Sequence, residues 1–458
     1  MPGYIEDRWW TKRPDPTTGK KRKTALYGKG KRYKVTGIAG VRARSFEKVA
    51  DAERWKAKAQ AQSLAGEFTD PRDGNLLLKT YVEDTWWPSL SADPSTLETT
   101  HRLVWKHVLP HLGHLPLRNI TVATLRTWLK TLEPNLGAGT TIAAWSYFSN
   151  ILEYAVDDGK IPKNPCKAKT VSPPAPPEYK ARAWSRERVA AVRGALHERF
   201  RIMADLGAGA GLRQGEVLGL SVDDIDEEAG LLHIRRQVKK IGSKLVFALP
   251  KGGKTRTVPL PIHLARRLKA HLQQFPAQAV TLPWGDPRPP KTDRETKDRA
   301  PQTHRLVVTT VQGCAIRRDQ WNMRYWKPAL VAAGVIAPGK VVVRPNPERP
   351  GGGGLKVIQF EESREHGFHS LRHTFASVQL HARESVVAVS KWMGHADPSI
   401  TLRIYAHFIP EANNRGRQVM DAWFESAPEK ISLDSPWASD SPLTAPAVGP
   451  AVDAVAAG

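Results

Sequence analysis

The sequence has 458 residues, with 69 Lys or Arg against 45 Asp or Glu, so its formal net charge is +24. Apolar residues make up 40% and charged residues 25%, which is typical of a folded globular protein and excludes a disordered chain. Two cysteines, Cys166 and Cys314, are too few for a disulfide framework, and no uncharged apolar run reaches the roughly 20 residues that a membrane-spanning helix needs.

The positive charge predicts a polyanionic partner, and nucleic acid is favoured over an anionic membrane surface. The N-terminus lacks the apolar stretch of a signal peptide, and the low cysteine content suits a reducing compartment. We therefore expect a cytoplasmic protein of about two to four domains that acts on nucleic acid and not at a membrane.

The sequence pattern of residues 1–66 predicts a small basic unit of two strands and a helix. Residues 31–36 and 41–46 alternate as strands do, the segment between them contains two glycines, and a helical pattern follows over 47–66. Residues 1–50 hold 14 Lys or Arg against 4 Asp or Glu. A basic ribbon can lie in a DNA groove, although a solvated basic arm is the simpler alternative. The predicted DNA contacts of this unit are Lys31, Lys34, Arg42 and Arg44.

Residues 75–170 predict a domain of four or five helices. Apolar residues recur at helical spacing in two stripes, and Ser95 with Glu98 predicts a capping box at a helix start. The proline-rich residues 171–182 predict a semi-rigid linker.

Residues 183–425 predict a second large domain of mixed helices and strands. Ser185 is a candidate helix cap, and strands are expected near 231–238, 244–250 and 255–260. Residues 283–302 look like an exposed loop, and the glycines at 351–354 look like the turn of an inserted hairpin. Residues 426–458, rich in Ala, Ser, Pro and Asp, predict a disordered tail.

Seven residues of this second domain could carry chemistry: Arg213, Glu216, Lys251, His369, Arg372, His395 and Tyr405. Two guanidiniums can grip the oxygens of one phosphate and stabilise the charge that develops during phosphoryl transfer. A tyrosine hydroxyl in such a cationic site can act as a nucleophile, and a Lys or His can protonate the leaving oxygen. These residue types therefore point to a covalent phosphotyrosyl intermediate on a nucleic-acid backbone.

Three segments resemble the signature boxes of the tyrosine recombinases, the phage-integrase family. They are GLRQGEVLGL from Gly211, HSLRHTFAS from His369 and MGHADPSITLRIY from Met393. Each box is weak alone, but their order and separation are a strong signal. The resemblance covers about 75–425. It implies a multidomain protein, mainly α with small β sheets, that has a basic ββα arm-binding unit, a helical SAM-like core-binding domain and an α+β catalytic domain.

The resemblance also implies a role for each residue. Tyr405 would attack the scissile phosphate, while Arg213 and Arg372 clamp it. Lys251 would be the general acid for the leaving 5′-hydroxyl, and Lys254 is the alternative or a plain phosphate contact. His369 would assist proton transfer, His395 would hydrogen-bond the phosphate, and Glu216 would orient the site.

The implied function is site-specific recombination of double-stranded DNA, which integrates or excises a phage or mobile element. The implied assembly is a homotetramer on DNA, in which residues 409–424 dock onto a neighbouring protomer. It would act at the bacterial nucleoid, and a DNA-bending host factor and an excisionase are further implied partners. A type IB topoisomerase and a non-catalytic DNA-binding protein are the alternatives. His366, His369 and His373 lie close together, but no cysteine or clear carboxylate accompanies them, so we expect no metal and no cofactor.

Overall fold

The computed structural model describes residues 3–16, 18–65, 68, 70, 72–176, 181–344, 354–361, 364–410 and 415–425. Within these ranges the chain is mainly helical with several small sheets, as the sequence predicts. Buried apolar side chains form three clusters in chain order, which lie within residues 35–59, 78–171 and 181–405. The predicted tail, 426–458, and residues 177–180 of the predicted linker lie outside the described residues.

The N-terminal unit is a three-stranded antiparallel sheet packed on one helix. Its elements, in chain order, are β1 Tyr4–Asp7, β2 Tyr33–Thr36, β3 Arg44–Phe46 and α1 Val49–Leu64. Val35 of the central strand is fully buried, as is Ala52 of the helix. The two predicted strands and the helix are present, and a third strand, β1, which the sequence analysis did not predict, joins them. Strand β1 pairs with β2 over its full length, and its short sequence, YIED, carries no apolar alternation that would reveal it.

The helical domain forms between residues 73 and 171. Its helices are α2 Leu78–Tyr81, α3 Trp87–Ser89, α4 Pro94–His107, α5 Leu109–Leu112, α6 Val122–Leu132 and α7 Ala138–Asp157, with a π-helical turn, Val82–Trp86, between α2 and α3. The cap of α4 is Asp93 rather than the predicted Ser95. The carboxylate of Asp93 accepts a hydrogen bond from the Ser95 backbone N–H at 2.9 Å, because Pro94 takes the first helical position, where its missing N–H is not needed.

The remaining elements make up a second large region, residues 186–425, which contains the largest cluster. Its helices are α8 Arg186–Ala195, α9 Glu198–Gly209, α10 Gln214–Leu218, α11 Ile262–Gln274, α12 Asp293–Asp298, α13 Arg318–Trp321, α14 Lys327–Ala332, α15 His369–His381, α16 Val386–Met393, α17 Pro398–Tyr405 and α18 Arg415–Glu425. Its strands are β4 Ile225–Asp226, β5 Leu231–Ile234, β6 Gln237–Ile241, β7 Lys244–Ala248, β8 Arg256–Pro259, β9 Gln278–Leu282, β10 Gln302–Leu306, β11 Lys340–Arg344 and β12 Leu355–Gln359.

These strands form one three-stranded sheet and three two-stranded ones, all antiparallel. The order of the larger sheet is β4-β5-β8, and the others pair β6 with β7, β9 with β10 and β11 with β12. Helix α15 packs on α9, while α16 contacts strand β8 and helix α17. The core elements therefore bring together the segments that hold the predicted site residues.

Two long connections of the second large domain contain secondary structure. The region 283–302 was predicted to be exposed, yet it contains α12, and Asp286 within it is buried. That carboxylate pairs with Arg288 at 2.6 Å and Arg299 at 3.3 Å, so ion pairs fold this polar segment back on itself. Strands β11 and β12 pair from Lys340 with Gln359 onward, as the inserted hairpin predicts, and expose Val341 and Val343.

No helix in the described ranges is long and apolar enough to cross a membrane.

Candidate functional site

Arg213 stands at the start of α10, where the chain leaves α9 through a tight turn. Gly211 in that turn has φ of 64°, and a Cβ there would come within 2.5 Å of the Phe375 ring, so only glycine fits. The Glu216 carboxylate accepts hydrogen bonds from the Arg213 backbone N–H at 2.9 Å and from its guanidinium at 3.0 Å. A second guanidinium nitrogen donates to the carbonyl of Gly394 at 3.3 Å. Glu216 therefore holds both the backbone and the guanidinium of Arg213.

Glu216 is buried, and a second arginine that the sequence did not single out also holds it. Arg256 of strand β8 donates to both carboxylate oxygens, at 2.8 and 2.6 Å, and its Nε donates to the Trp392 carbonyl at 2.6 Å. Burial alone would raise the pKa of Glu216. The hydrogen bond from Arg256 and the charges of Arg256, Arg372 and Arg213 outweigh burial and lower this pKa to about 2. The carboxylate is therefore ionised at neutral pH.

Arg372 lies fully inside the protein, one turn into α15, with only 1% of its surface exposed. Its guanidinium donates to the Gly211 carbonyl at 2.5 Å and to the Met393 carbonyl. Its Nε has no hydrogen-bond partner among the described residues. Burial and the neighbouring charge of Arg213 lower the pKa of Arg372 to about 9. The guanidinium stays protonated at pH 7, and the carbonyls that hold it can be exchanged for a stronger, anionic acceptor.

His395 follows the left-handed residue that ends α16. Gly394 has φ of 61°, the left-handed conformation in which many helices end and which glycine adopts without strain. The Nδ1 of His395 lies 2.7 Å from the Thr401 hydroxyl of α17. Burial, followed by the charges of Arg372, Arg213 and Arg256, lowers the pKa of His395 to about 4. The ring is therefore neutral at pH 7 and can offer a single N–H as a hydrogen-bond donor.

Tyr405 ends helix α17 and is buried, with 1% of its surface exposed. Its hydroxyl oxygen lies 2.6 Å from Nδ1 of His373, a residue to which the sequence analysis gave no catalytic role. The charge of Arg372 is close enough to interact with the Tyr405 hydroxyl. The structure thus places the phenol beside one of the two predicted guanidiniums but inside the core.

A cleft of about 940 Å³ opens beside Arg213, between the helical domain and the largest cluster, and Arg372, His395 and Tyr405 lie behind its lining residues. Arg213, Lys251 and His369 line it, and its other cationic lining residues are Arg102, Lys239, Lys240 and Arg318. Lys239 also pairs with Asp93 of the opposite wall at 3.0 Å. One side of the His369 ring is exposed. Burial of its other side, followed by the charges of His373, Arg372 and Arg213, lowers the pKa of His369.

The turn between β7 and β8 carries both lysines that the sequence offered as general acid. Lys251 is exposed there and contributes to the cleft beside His369. Lys254 is exposed three residues further along the same turn. Their positions favour Lys251 as the residue that reaches a phosphate held in the cleft.

The predicted N-terminal DNA contacts lie in or next to the strands of the small sheet, and none of them lines this cleft. Lys31 is exposed and Lys34 is partly buried in β2. Arg42 pairs with Asp73 of the following domain at 3.1 Å, and Arg44 stacks over Phe46 at 5.4 Å. Within the described residues, no group of three His, Cys, Asp or Glu side chains could hold a metal ion.

Comparisons with known proteins agree with this arrangement. Residues 79–133 match the family model described as the phage integrase N-terminal SAM-like domain. A XerC-like tyrosine recombinase of Caldanaerobacter subterraneus subsp. tengcongensis is 28% identical over 321 residues, which are 65% of this chain and 70% of the relative.

Two solved structures share the fold. The Tn1549 transposon integrase in complex with transposon right end DNA has a TM-score of 0.54 at 15% identity, covering 77% of this chain and 100% of that one. The lambda integrase tetramer bound to a Holliday junction has a TM-score of 0.50 at 14% identity, covering 94% and 98%. The SAM-like match, the recombinase relative and the shared integrase fold make this chain similar to the tyrosine recombinases, and its fold is like that of the lambda integrase.

Proposed function

We propose that this protein is a site-specific DNA recombinase that cuts and rejoins DNA strands through a 3′-phosphotyrosyl intermediate and so integrates or excises a phage or mobile element. The observation that carries the proposal is the position of Arg213 and Arg372. The Arg372 guanidinium donates to the carbonyls of residues 211 and 393, the Arg213 guanidinium donates to the adjacent carbonyl of residue 394, and the charge of Arg372 acts on the Tyr405 hydroxyl. A phosphate that enters from the cleft would replace these carbonyls with charged oxygens, which bind guanidinium more strongly.

The proposed reaction proceeds in two reversible steps. The Tyr405 hydroxyl oxygen attacks the phosphorus, Arg213 and Arg372 stabilise the charge on the non-bridging oxygens, and Lys251 protonates the leaving 5′ oxygen. His395 would donate a hydrogen bond to the phosphate, and His369, on the wall of the cleft, would assist proton transfer by accepting the proton that the phenol releases. Because the phosphotyrosyl bond replaces one phosphodiester with another, a new 5′-hydroxyl can reverse the attack without ATP or a metal ion.

The burial of Tyr405 implies a change of conformation before cleavage. In the free protein the phenol lies in the core, so the end of α17 must move for the hydroxyl to meet a phosphate in the cleft. Such a change suits an enzyme that should cut only within an assembled complex.

The proposed assembly is a homotetramer on two DNA sites, supported by the lambda integrase tetramer whose fold this chain shares. Helix α18 supports it too, because it exposes Val419, Met420, Trp423 and Phe424. This helix would dock onto a neighbouring protomer. The two larger domains would enclose the core site, while residues 1–66 would bind separate arm sites. A host DNA-bending protein and an excisionase remain proposed partners, and the proposed place of action is the bacterial nucleoid in the cytoplasm.

The direct test replaces the nucleophile. Tyr405→Phe removes one oxygen from a buried ring, and Tyr154→Phe makes the same change on a more exposed ring of α7. Each protein is incubated with nicked duplexes that carry the DNA flanking its own coding region, and covalent complexes are counted on denaturing gels. We expect the complex with Tyr154→Phe and none with Tyr405→Phe. A covalent complex with Tyr405→Phe would refute the proposal, and relaxation of any plasmid without recombinants would indicate a type IB topoisomerase.

A further inference from the structure

Arg256 of strand β8 is buried next to the proposed site and does not line the cleft. Its guanidinium donates to both oxygens of the Glu216 carboxylate, at 2.8 and 2.6 Å, and its Nε donates to the Trp392 carbonyl at 2.6 Å. Its side chain is only 8% exposed. An arginine in this position can act on a phosphate in the cleft only through the groups that it holds.

Glu216 is the acceptor that Arg256 shares with Arg213. Its buried carboxylate receives one hydrogen bond from the Arg213 guanidinium, at 3.0 Å on Oε1, whereas Arg256 binds both Oε1 and Oε2. A free carboxylate readily accepts two parallel hydrogen bonds from one guanidinium. Without Arg256, the ionised Glu216 would therefore be free to bind Arg213 more strongly and to compete with a phosphate for its donors.

We propose that Arg256 is a positioning residue for DNA strand cleavage, which occupies both oxygens of Glu216 and so keeps the guanidinium of Arg213 available to the scissile phosphate. This inference rests on the proposed function and adds to it a residue that acts from behind the cleft. The hydrogen bond from Arg256 to the Trp392 carbonyl holds the guanidinium in that place.

The charges around Glu216 support the same role. The guanidiniums of Arg213, Arg256 and Arg372 carry three positive charges and Glu216 carries one negative charge, which leaves two positive charges. The histidine rings of the site add none at pH 7, because burial lowers the pKa of each. A phosphodiester brings one negative charge, and attack by a phenolate brings a second. Without Arg256 only one positive charge would be left to balance the two negative charges.

The pair of Arg256 and Glu216 does not depend on where Tyr405 lies. Strand β8 is paired with β5 along its full length, and Glu216 belongs to α10, so neither partner is on the helix that carries the nucleophile. The change of conformation that brings the phenol to the cleft concerns the end of α17. The ion pair can therefore persist while the phosphate is attacked.

The test compares an ordinary nicked duplex with one whose scissile phosphate is a methylphosphonate. A methyl group replaces one non-bridging oxygen, so the phosphorus centre is neutral and its attack develops one negative charge fewer. The core site is identified beforehand by sequencing the DNA trapped covalently on the unaltered protein. The rate of covalent complex formation is measured under single-turnover conditions for the unaltered protein, Arg256→Gln, Glu216→Gln and the variant with both changes.

Arg236 offers a matched control, because it makes the same kind of ion pair elsewhere. Its guanidinium donates to both oxygens of the buried Asp224, at 2.5 and 3.2 Å, and its side chain is 7% exposed. It does not line the cleft. Arg236→Gln takes a guanidinium away from a buried carboxylate, as Arg256→Gln does, and should cleave the ordinary duplex at the normal rate.

We expect Arg256→Gln to slow cleavage of the ordinary duplex by about 100-fold, but cleavage of the methylphosphonate duplex by less than about tenfold, because that reaction develops less charge. Once Glu216 is neutral, it no longer competes for Arg213. Glu216→Gln and the variant with both changes should therefore cleave the ordinary duplex at rates within about threefold of each other. If Arg256→Gln does not fold, as judged by circular dichroism, this last comparison tests the inference alone.

Four outcomes would overturn the inference. Arg256→Gln could cleave the ordinary duplex normally, or lose the same factor on both duplexes, as a displaced backbone would cause. The variant with both changes could be more than about threefold slower than Glu216→Gln, or Arg236→Gln could lose as much as Arg256→Gln. Failure of the unaltered protein to form any covalent complex would instead refute the proposed function, so the two proposals fail in different ways.

Discussion

Glu216 supplies the negative charge that balances three arginines at the site. Its carboxylate binds Arg213 and Arg256 directly and interacts with the charge of Arg372. Glu216→Gln keeps the shape of the side chain but leaves these guanidiniums without a counter-charge in the core. We expect a loss of about 3 kcal/mol in the free energy of unfolding, measured by urea denaturation at pH 7. Glu228→Gln, at an exposed position, should change it by less than about 0.5 kcal/mol.

The same carboxylate predicts a dependence of stability on pH. Its pKa in the folded protein is about 2, below its ordinary value of 4.5, so its stabilisation is present above about pH 4.5 and is lost as the pH falls towards 2. Urea midpoints of the unaltered protein and of Glu216→Gln should therefore converge between pH 5 and pH 2. The histidines whose pKa values are lowered are present in both proteins, so their contributions to the pH dependence cancel when the two urea midpoints are compared. Curves that stay parallel would show that Glu216 is not held as an anion by its neighbours.

The proposed general acid can be tested by changing the leaving group. Replacing the 5′ bridging oxygen of the scissile phosphate with sulfur gives a leaving group that needs no proton. Lys251→Ala should cleave an ordinary duplex about 100-fold more slowly than the unaltered protein but cleave the sulfur-bridged duplex at a similar rate. Lys254→Ala is the matched control from the same turn. If the sulfur substrate rescues Lys254→Ala instead, the roles of the two lysines are exchanged.

Among the candidate site residues, the sequence predicted those that belong to short motifs and missed those defined by contacts between distant segments. Arg213 with Glu216 and His369 with Arg372 follow from a spacing of three on a helix. Arg256 bonds Glu216 from 40 residues away, and His373 meets Tyr405 across 32 residues. No periodicity encodes such pairings. One available signal was the position of Arg256 two residues before Val258, the buried residue of β8.

The turn between α16 and α17 is the element that organises the site, because it carries His395 and supplies carbonyls to Arg213 and Arg372. Gly394 has φ of 61°, and an added Cβ would lie 3.0 Å from Cδ of Arg256. Gly394→Ala should therefore cost about 1–2 kcal/mol of unfolding free energy and slow cleavage as well, since it displaces Arg256 and His395 together. Gly137→Ala, at a helix start with no atom near the added Cβ, is the control in the same urea titration.

Elements with strong local signals could be predicted, and elements that depend on tertiary pairing could not. The cap of α8 at Ser185 and the helix of the N-terminal unit agree with the sequence analysis. Strand β1 depends on its partner β2, and α12 lies in a segment held by ion pairs of Asp286. Both lack the apolar periodicity on which a sequence-based assignment depends.

The molecule as a whole is a strongly basic protein with a cationic cleft, so binding should depend steeply on salt. Each phosphate contact contributes a slope of about −0.9 to the logarithm of affinity against the logarithm of salt concentration. Arg318 is exposed on the cleft wall, and Arg318→Ala should make this slope shallower by about one contact. Lys269→Ala removes an exposed charge on α11 and is the control. Fluorescence anisotropy with the core duplex measures both, and equal slopes would place the duplex elsewhere.

The N-terminal unit predicts a division of binding between two kinds of DNA site. It has its own small core around Val35 and carries Lys31 and Lys34 on the sheet, outside the cleft. Deletion of residues 1–66 should abolish binding to distal arm sites and leave cleavage of the core site intact. Footprinting across the attachment region tests this, and an equal loss at both kinds of site would contradict the assignment of the domains.

The burial of Tyr405 bears on how such a protein can search along chromosomal DNA. A basic protein binds much non-specific DNA during this search, and each encounter brings backbone phosphodiesters close to its arginines. With the aromatic side chain enclosed beside His373, casual encounters find no oxygen poised to break a strand. On the proposed mechanism, genome integrity during the search would depend on the resting conformation of a single helix end, α17, and not on how tightly the protein binds the wrong site.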